Sequence, residues 1–237
     1  MPLKAVLHPA SRSASRAAKE EKGAATKAPV VAEKELTAQQ WFERGFDARD
    51  LDEKLRLYSQ AIRLKPDYAE AFYNRGRAHH DKDDLKAATQ DYSEAIRLRP
   101  DFTNAFNNRG CARYYLGDLD GALEDYNETV RLEPKDGIAY GNRGEARRDK
   151  GDLKGALQDC NRAVRFKPDH AEAFYIRGTV HRAQGNLRGA LRDFDAAINL
   201  QPNYAEAEKD RDTVLKAVAQ AHKSERKIKV RSQHKAS

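Results

Sequence analysis

The segment "AFYNRG" at residues 71–76 places an arginine and a glycine in an otherwise apolar helical stretch. Its recurrence along the chain indicates the class of fold. Related segments are "AFNNRG" at 105–110, "AYGNRG" at 139–144 and "AFYIRG" at 173–178, each 34 residues after the previous copy. Self-similarity at a fixed period of this length is typical of a repeat array, in which each repeat packs mainly on its neighbours.

The prolines keep the same interval. Five of the eight lie 34 residues apart, and the other three all precede residue 30. Proline cannot continue an α-helix, so each periodic proline predicts the end of a helix at the same place in every repeat. These prolines are Pro66, Pro100, Pro134, Pro168 and Pro202.

Each repeat is predicted to be a pair of helices. Between the two helices, "LGDL" at 116–119, "KGDL" at 150–153 and "QGNL" at 184–187 provide a glycine for a left-handed helix end and an Asp or Asn for the next N-cap. In the second helix, Leu85, Ala88 and Tyr92 share one face. Asp67 with Glu70, and equivalently residues 169 and 172, predict capping boxes for the first helices.

The array resembles the tetratricopeptide repeat family, whose 34-residue signature has an aromatic, a glycine, small residues and a proline at fixed positions. The resemblance covers residues 38–204 and implies an all-α fold, a right-handed α-solenoid of stacked antiparallel helical hairpins. The second repeat supplies Phe72, Gly76, Ala88, Tyr92, Ala95 and Pro100, and the third supplies Phe106, Gly110, Ala122, Tyr126 and Pro134.

The repeats predict the domain organisation. The first repeat is degenerate, because the interval from Gly45 to Leu51 is three residues shorter than that from Gly76 to Leu85. Its first helix or its turn must therefore be shortened. The predicted segments are a basic, Ala/Ser-rich leader (1–34), repeats 1 to 5 (35–68, 69–102, 103–136, 137–170 and 171–204), a capping helix (205–222) and a basic tail (223–237).

The arginine and the glycine of the recurring segment receive different predictions. We expect the glycines to allow close approach of the facing helix, with the small residues Ala88, Ala122, Ala156 and Ala190 opposite them. A half-buried arginine needs a counter-ion, and Asp91, Asp125, Asp159 and Asp193 recur at the same period. We predict an Arg/Asp ladder, in which each Asp meets the arginine of its own repeat or of the next. Pairing within a repeat would leave Arg44 without a partner, since Leu57 takes the Asp position there.

The net charge of +7 is concentrated at the two ends of the chain. Residues 1–34 carry +4 and residues 216–237 carry +6, which leaves −3 for the repeats between them. The repeats are therefore not expected to attract nucleic acid. Nucleic acid or an anionic membrane could be contacted only through the basic tails.

The resemblance implies that the first helices line a concave groove, which binds an extended or helical segment of another protein. Asn74, Asn108 and Asn142 share one position and would form a row that resembles the asparagine ladder in the repeats of O-linked N-acetylglucosamine transferases. The predicted groove residues are Tyr73, Asn74, Arg77, Asn107, Asn108, Tyr114, Asn142, Arg148, Tyr175 and Arg182. The alternative is that these asparagines form hydrogen bonds to neighbouring helices and belong to the scaffold.

Other functions receive less support from the sequence. The residues that chaperone-binding members use to hold a C-terminal carboxylate do not match here, which argues against that partner. No metalloprotease, nucleophile-elbow or phosphate-loop motif occurs, so we predict a non-enzymatic adaptor or scaffold without cofactor or metal. Two cysteines make no disulfide framework. We expect a cytoplasmic monomer, with organellar import through the N-terminal segment as the alternative.

Overall fold

The computed structural model describes the backbone of residues 36–236 and the side chains of residues 36–221 and 223. The predicted leader at 1–34 lies outside these residues. Within them the chain forms eleven α-helices and no strand, as predicted for an all-α repeat protein. The helices are α1 (Ala38–Asp47), α2 (Leu51–Leu64), α3 (Ala69–Asp81), α4 (Leu85–Leu98), α5 (Thr103–Tyr115), α6 (Leu119–Leu132), α7 (Gly137–Asp149), α8 (Leu153–Phe166), α9 (Ala171–Ala183), α10 (Leu187–Leu200) and α11 (Ala205–Ala236).

The helices form two compact units, unit 1 with α1 to α6 and unit 2 with α7 to α11. Within unit 1, each odd-numbered helix packs against the even-numbered helix of its own repeat, and α2 and α4 also pack against α3 and α5. Unit 2 repeats this arrangement, because α8 and α10 contact both their own repeat and the following helix. The predicted helical hairpins are therefore confirmed in each unit.

The first repeat is shortened in its helix and not in its turn. Helix α1 has 10 residues, whereas α3 has 13, and three residues separate each of them from the next helix. Its N-terminus carries a capping box that the sequence prediction missed. Thr37 and Gln40 each accept the backbone N–H of the other, an arrangement that satisfies two donors at a helix end.

The turns inside the repeats match the prediction. Gly117, Gly151 and Gly185 lie in the left-handed region at φ +83°, +83° and +74°, and Asp83 takes this place in the second repeat at φ +63°. The next residue caps the second helix. For example, the Asp152 carboxylate accepts the backbone N–H of Gly155 at 2.9 Å.

The predicted capping boxes of α3 and α9 are wrong. The N-caps are Tyr68 and His170, and neither side chain makes a capping hydrogen bond. A turn follows Pro66, in which the Tyr68 N–H donates to the Lys65 carbonyl, so Asp67 falls one residue before the cap. The Tyr68 carbonyl accepts the backbone N–H groups of Ala71 and Phe72 in the first turn of α3.

The recurring glycines make room for a larger side chain than predicted. A Cβ on Gly110 would lie 2.7 Å from Cε1 of Tyr126, and one on Gly178 would lie 2.6 Å from Cε1 of Phe194. The close partner is therefore the ring of the second helix and not the predicted alanine. In the fourth repeat the nearest atom to a Cβ on Gly144 would be the Cys160 sulfur at 2.8 Å, and the carbonyl oxygen of the predicted Ala156 would follow at 3.3 Å.

The Arg/Asp ladder is present, and each arginine pairs with the aspartate of its own repeat. In every pair Nε and Nη2 donate to the two carboxylate oxygens at 2.7–2.9 Å, the bidentate geometry that favours arginine over lysine. The pairs are Arg75–Asp91, Arg109–Asp125, Arg143–Asp159 and Arg177–Asp193. Among the described residues Arg44 makes no ion pair, and its guanidinium lies 5.9 Å from the centroid of the Trp41 ring.

The ladder also connects adjacent repeats within each unit. The remaining guanidinium nitrogen of Arg109 donates to the Ser93 hydroxyl of the preceding second helix at 3.0 Å. Arg75 contacts Ser59, and Arg177 contacts Asn161, in the same way. Each of these three arginines therefore has its counter-ion in its own repeat and also connects its first helix to the second helix of the preceding repeat.

Helix α11 is longer than the predicted cap. It begins at Ala205, as expected, but continues past residue 222 to Ala236. No proline or glycine follows Pro202 that would end it. Most side chains of the predicted basic tail lie outside the described residues, so only the backbone of that segment is placed.

Candidate peptide-binding surface

The first helices of each unit carry the residues predicted for the groove, and we call the side of these helices that bears them the first-helix face. In unit 1 it is formed by α3 and α5. The structure brings Tyr73 and Asn108 together there, since the Asn108 amide donates to the Tyr73 hydroxyl at 3.1 Å. Tyr73, Asn107 and Tyr114 are buried as well. These side chains build the floor of the face and contribute little of its accessible surface.

The row of asparagines does not face solvent, which corrects the predicted peptide-binding ladder. The exposed fractions of Asn74, Asn108 and Asn142 are 8%, 0% and 4%. Asn74 donates its amide to the Glu70 carbonyl of its own helix at 2.8 Å, and Asn108 donates to Tyr73. Stacking of successive hairpins encloses this position, so the asparagines serve packing, as the alternative reading of the sequence allowed.

Arg77 is the exception on this face. Its side chain is half-buried and makes no hydrogen bond or ion pair with the described residues, and its Nε is fully buried without an acceptor. The Arg77 charge acts to lower the pKa of three nearby phenols, those of Tyr58, Tyr73 and Tyr92. Burial raises the pKa of Tyr58 and of Tyr73 to about 12, and the Arg77 guanidinium opposes that rise in both.

An aromatic patch lies next to Arg77 at the ends of α3 and α5. The His80 and Tyr115 rings meet edge to face with centroids 6.4 Å apart, and Tyr115 meets Tyr114 in the same manner at 5.5 Å. His80 and Tyr115 are only partly buried. Partly exposed aromatic rings beside a cation are common anchors in protein interfaces.

In unit 2, Arg148 lies in a network of partners. Its guanidinium donates to the Thr179 hydroxyl at 2.7 Å and to the Glu145 carboxylate at 3.3 Å, and it also contacts Asp149. Arg148 therefore connects α7 to α9. Arg148 is a predicted groove residue, but its guanidinium already binds other side chains of the chain.

Two more predicted groove residues of unit 2, Tyr175 and Arg182, share a partner, Asp210, that the sequence prediction missed. Asp210 on α11 accepts the Tyr175 hydroxyl at 3.0 Å and pairs with Arg182 at 2.8 Å. Asp210 lies 34 residues after Ile176 and 68 after Asn142. This spacing would have identified it as the cap's counterpart of the groove asparagines.

Two carboxyl groups of unit 2 are perturbed by burial. Burial raises the pKa of Glu145 to about 7, although Arg148 opposes the rise. The pKa of Glu172 is raised to about 8, first by burial and then by the charges of Glu145 and Glu206. Glu172 makes no ion pair within the described part of the chain. Both groups lie on first helices. The other repeats carry different residue types at the position of Glu145, whereas Glu70 takes the position of Glu172 in the second repeat.

Catalytic machinery is not evident in the described residues. No group of His, Cys, Asp and Glu within residues 36–221 has the arrangement of a metal site. Cys111 and Cys160 are buried and form no disulfide within the described residues, and burial raises the pKa of the Cys160 thiol well above its ordinary value. A thiol in this state is a poor nucleophile. None of the described helices is long and apolar enough to cross a bilayer.

Comparison with known families agrees with this architecture of repeated helical hairpins. Models described as "Tetratricopeptide repeat" match residues 69–102, 107–171 and 171–204, and one described as "TPR repeat" matches residues 50–83. Together they cover more than half of the chain, including most of the first repeat. The chain belongs to the tetratricopeptide repeat family. A comparison with curated proteins gave no match.

Solved structures show the same all-α solenoid fold. YrrB, described as a TPR protein with an unusual peptide-binding site, shares 25% identity over 74% of this chain and 92% of its own, with a TM-score of 0.62. MamA from Desulfovibrio magneticus RS-1 shares 20% identity over 70% of this chain and 96% of its own, with a TM-score of 0.64. In the Cut9–Hcn1 assembly of the APC/C, the match has 17% identity and a TM-score of 0.69, and it covers 77% of this chain and 37% of that one. This fold is that of a protein–protein interaction scaffold.

Proposed function

We propose that this chain is a non-enzymatic adaptor that binds an extended or helical segment of a partner protein on its first-helix face. The observation that carries the proposal is the combination on α3 and α5 of Arg77, a cation without a counter-ion among the described residues, and the partly exposed rings of His80 and Tyr115. A scaffold of rigid repeats with such a surface has the composition of an interface centre. The likeness to YrrB, with its described peptide-binding site, supports the same function.

The residues expected to contact the segment differ from the asparagine row. In unit 1 we expect contacts from Arg77, His80 and Tyr115, because their side chains reach the surface. In unit 2 the half-buried Arg148 and Arg182 are the candidates, although each already has a carboxylate partner. Tyr73 and Tyr175 would support these residues from below.

The test is selection of peptides followed by site-specific cross-linking. A random peptide library displayed on phage is selected on the full chain, and a selected peptide is then exposed to variants with a photoreactive residue at Tyr115 or at Gln90. Tyr115 lies on the first-helix face, whereas Gln90 is exposed on the second helix α4. We expect cross-links from position 115 and few from position 90. Equal yields from both positions, or no selected peptide, would contradict the proposal.

A second candidate function is contact with nucleic acid or an anionic membrane through the basic ends of the chain. It is favoured by the charges of +4 at residues 1–34 and +6 at residues 216–237, against −3 between them. Such contacts weaken steeply with salt. Deletion of residues 223–237 should abolish binding to a DNA duplex or to phosphatidylserine vesicles under this alternative. Under the adaptor proposal the deletion leaves peptide binding unchanged.

A further inference from the structure

Arg77 differs from every other arginine on the first helices of repeats two to five, because all the others have an aspartate or glutamate partner among the described residues. The partners of Arg148 and Arg182, the other two arginines predicted for the groove, are Glu145 and Asp210. The remaining arginines of these helices are each paired with an aspartate of the ladder. They are Arg75, Arg109, Arg113, Arg143, Arg147 and Arg177. A guanidinium that is half-buried without a counter-ion is costly, since burial removes water and supplies nothing in return.

The surroundings of Arg77 do not supply the missing charge. Cys111, Glu145 and Thr179 occupy the equivalent position in the later repeats, and all three are buried. Around Arg77 itself lie phenol groups, of which Tyr92 is fully buried with a hydroxyl that has no hydrogen-bond partner. The acidic residues nearest along the packed helices, Asp47 and Asp81, are exposed and form no ion pair with it.

We propose that Arg77 binds the carboxylate of an Asp or Glu side chain in the partner segment, an inference that rests on the proposed function. A carboxylate presents two acceptors in the plane of the guanidinium and forms charge-assisted hydrogen bonds with it. Every other first-helix arginine of these repeats has this same partner within the fold. The His80 and Tyr115 rings, on the same face as Arg77, would contact a residue adjacent to the acid in the segment.

The site differs from an arginine that serves only solubility. Its Nε is buried at the packed side of the helix, so the guanidinium is held in place and is not a freely moving surface charge. A held cation loses less rotamer entropy when it binds, which increases the benefit of the ion pair. The specificity is therefore for an acidic residue at one fixed position of the segment.

The experiment uses the phage-displayed random peptide library on the full chain and on three variants. Arg77→Gln removes the charge, Arg77→Glu reverses it, and Arg97→Gln removes an exposed arginine of α4 as the matched control. We expect the parent and the control to select peptides with Asp or Glu at a fixed position. Arg77→Gln should lose this preference and bind the selected peptides about 10- to 100-fold more weakly. Arg77→Glu should select Lys or Arg at the same position.

The outcomes separate this inference from the proposed function. Peptides that cross-link at position 115 but lack an acidic preference, or keep it in Arg77→Gln, overturn the role of Arg77 and leave the adaptor function intact. Failure of the parent chain to select any peptide contradicts the adaptor function and this inference together. Circular dichroism confirms that each variant is folded, and the reversed preference of Arg77→Glu cannot result from misfolding.

Discussion

Arg143 and Asp159 form the most buried of the four ladder pairs, with side chains that are 9% and 1% exposed. Asp159 also accepts from Arg147 at 2.7 Å, so one carboxylate is shared by two guanidinium groups of α7. Asp125 serves Arg109 and Arg113 in the same way in the third repeat. In these two hairpins the aspartate is therefore the shared counter-ion of two arginines, and its removal leaves both of them without it.

Replacement of Asp159 should test this balance directly. Asp159→Ala removes the bidentate carboxylate from the buried Arg143 and leaves Arg147 with Asp152, at 3.9 Å, as its carboxylate partner among the described residues, so we expect a loss of about 3–5 kcal/mol in the free energy of unfolding. Urea denaturation followed by circular dichroism measures it. The control is Glu128→Ala, which breaks an exposed pair with Arg131 and should cost about 0–1 kcal/mol. Similar losses in both variants would show that burial of the ladder has little energetic importance.

Two glycines of unit 2 should respond to alanine substitution with stability changes of opposite sign. A Cβ at Gly178 would lie 2.6 Å from the buried Phe194 ring, whereas the nearest atom to a Cβ at Gly141 would be Cδ1 of Ile176 at 3.8 Å. We expect Gly178→Ala to destabilise the protein by about 1–3 kcal/mol through overpacking. Gly141→Ala should stabilise it by about 0.4–1 kcal/mol, because alanine restricts the unfolded chain. Thermal denaturation of the two variants should therefore shift the Tm in opposite directions.

The sequence predicted the hairpins, their order and the ladder because periodicity reports the local pattern directly. The spacing of Arg75 and Asp91 was visible in four copies, and the turn glycines had no other reading. The predicted partners of the recurring glycines were wrong, since a 34-residue period aligns positions but does not say which side chain of the facing helix lies closest. Gly110 meets Tyr126 and not Ala122.

The site was harder to predict for a related reason. Equivalent positions in the repeats share a direction but not an exposure, because each is covered by a different neighbour. Arg77 is half-buried, whereas Cys111 and Glu145, at the equivalent position of the next two repeats, are buried. Whether a groove residue is accessible depends on contacts between repeats, which no single repeat contains.

The half-buried Glu172 should make stability depend on pH. Its carboxyl has an ordinary pKa of 4.5, which applies to the unfolded chain, and burial with the charges of Glu145 and Glu206 raises the pKa to about 8 in the folded state. Between these values the folded protein retains a proton that the unfolded chain has lost. The free energy of unfolding therefore falls as the pH rises through this window, and the contribution is fully present only below pH 4.5.

Glu172→Gln should remove that dependence. We expect the variant to be more stable than the parent by on the order of 1 kcal/mol or more at about pH 9, and little changed at about pH 5. Urea denaturation at the two pH values measures the difference. Glu128→Gln, on an exposed face of α6, is the control and should follow the parent at both. A parallel loss of stability with pH in parent and Glu172→Gln would assign the effect to other groups.

The two arginines of α3 provide the last comparison, since Arg75 and Arg77 lie two residues apart and differ in their partners. Arg75→Gln leaves the buried Asp91 without its bidentate pair, so we expect a loss of about 1.5–3 kcal/mol in the free energy of unfolding. Arg77→Gln removes a half-buried charge for which the described part of the chain supplies no counter-ion, and the stability should stay within about 0.5 kcal/mol of the parent or rise. Urea denaturation at fixed salt measures both. A large loss in Arg77→Gln would reveal a structural partner for this arginine and would contradict its assignment to a ligand, because a residue kept for binding contributes to affinity and not to the fold.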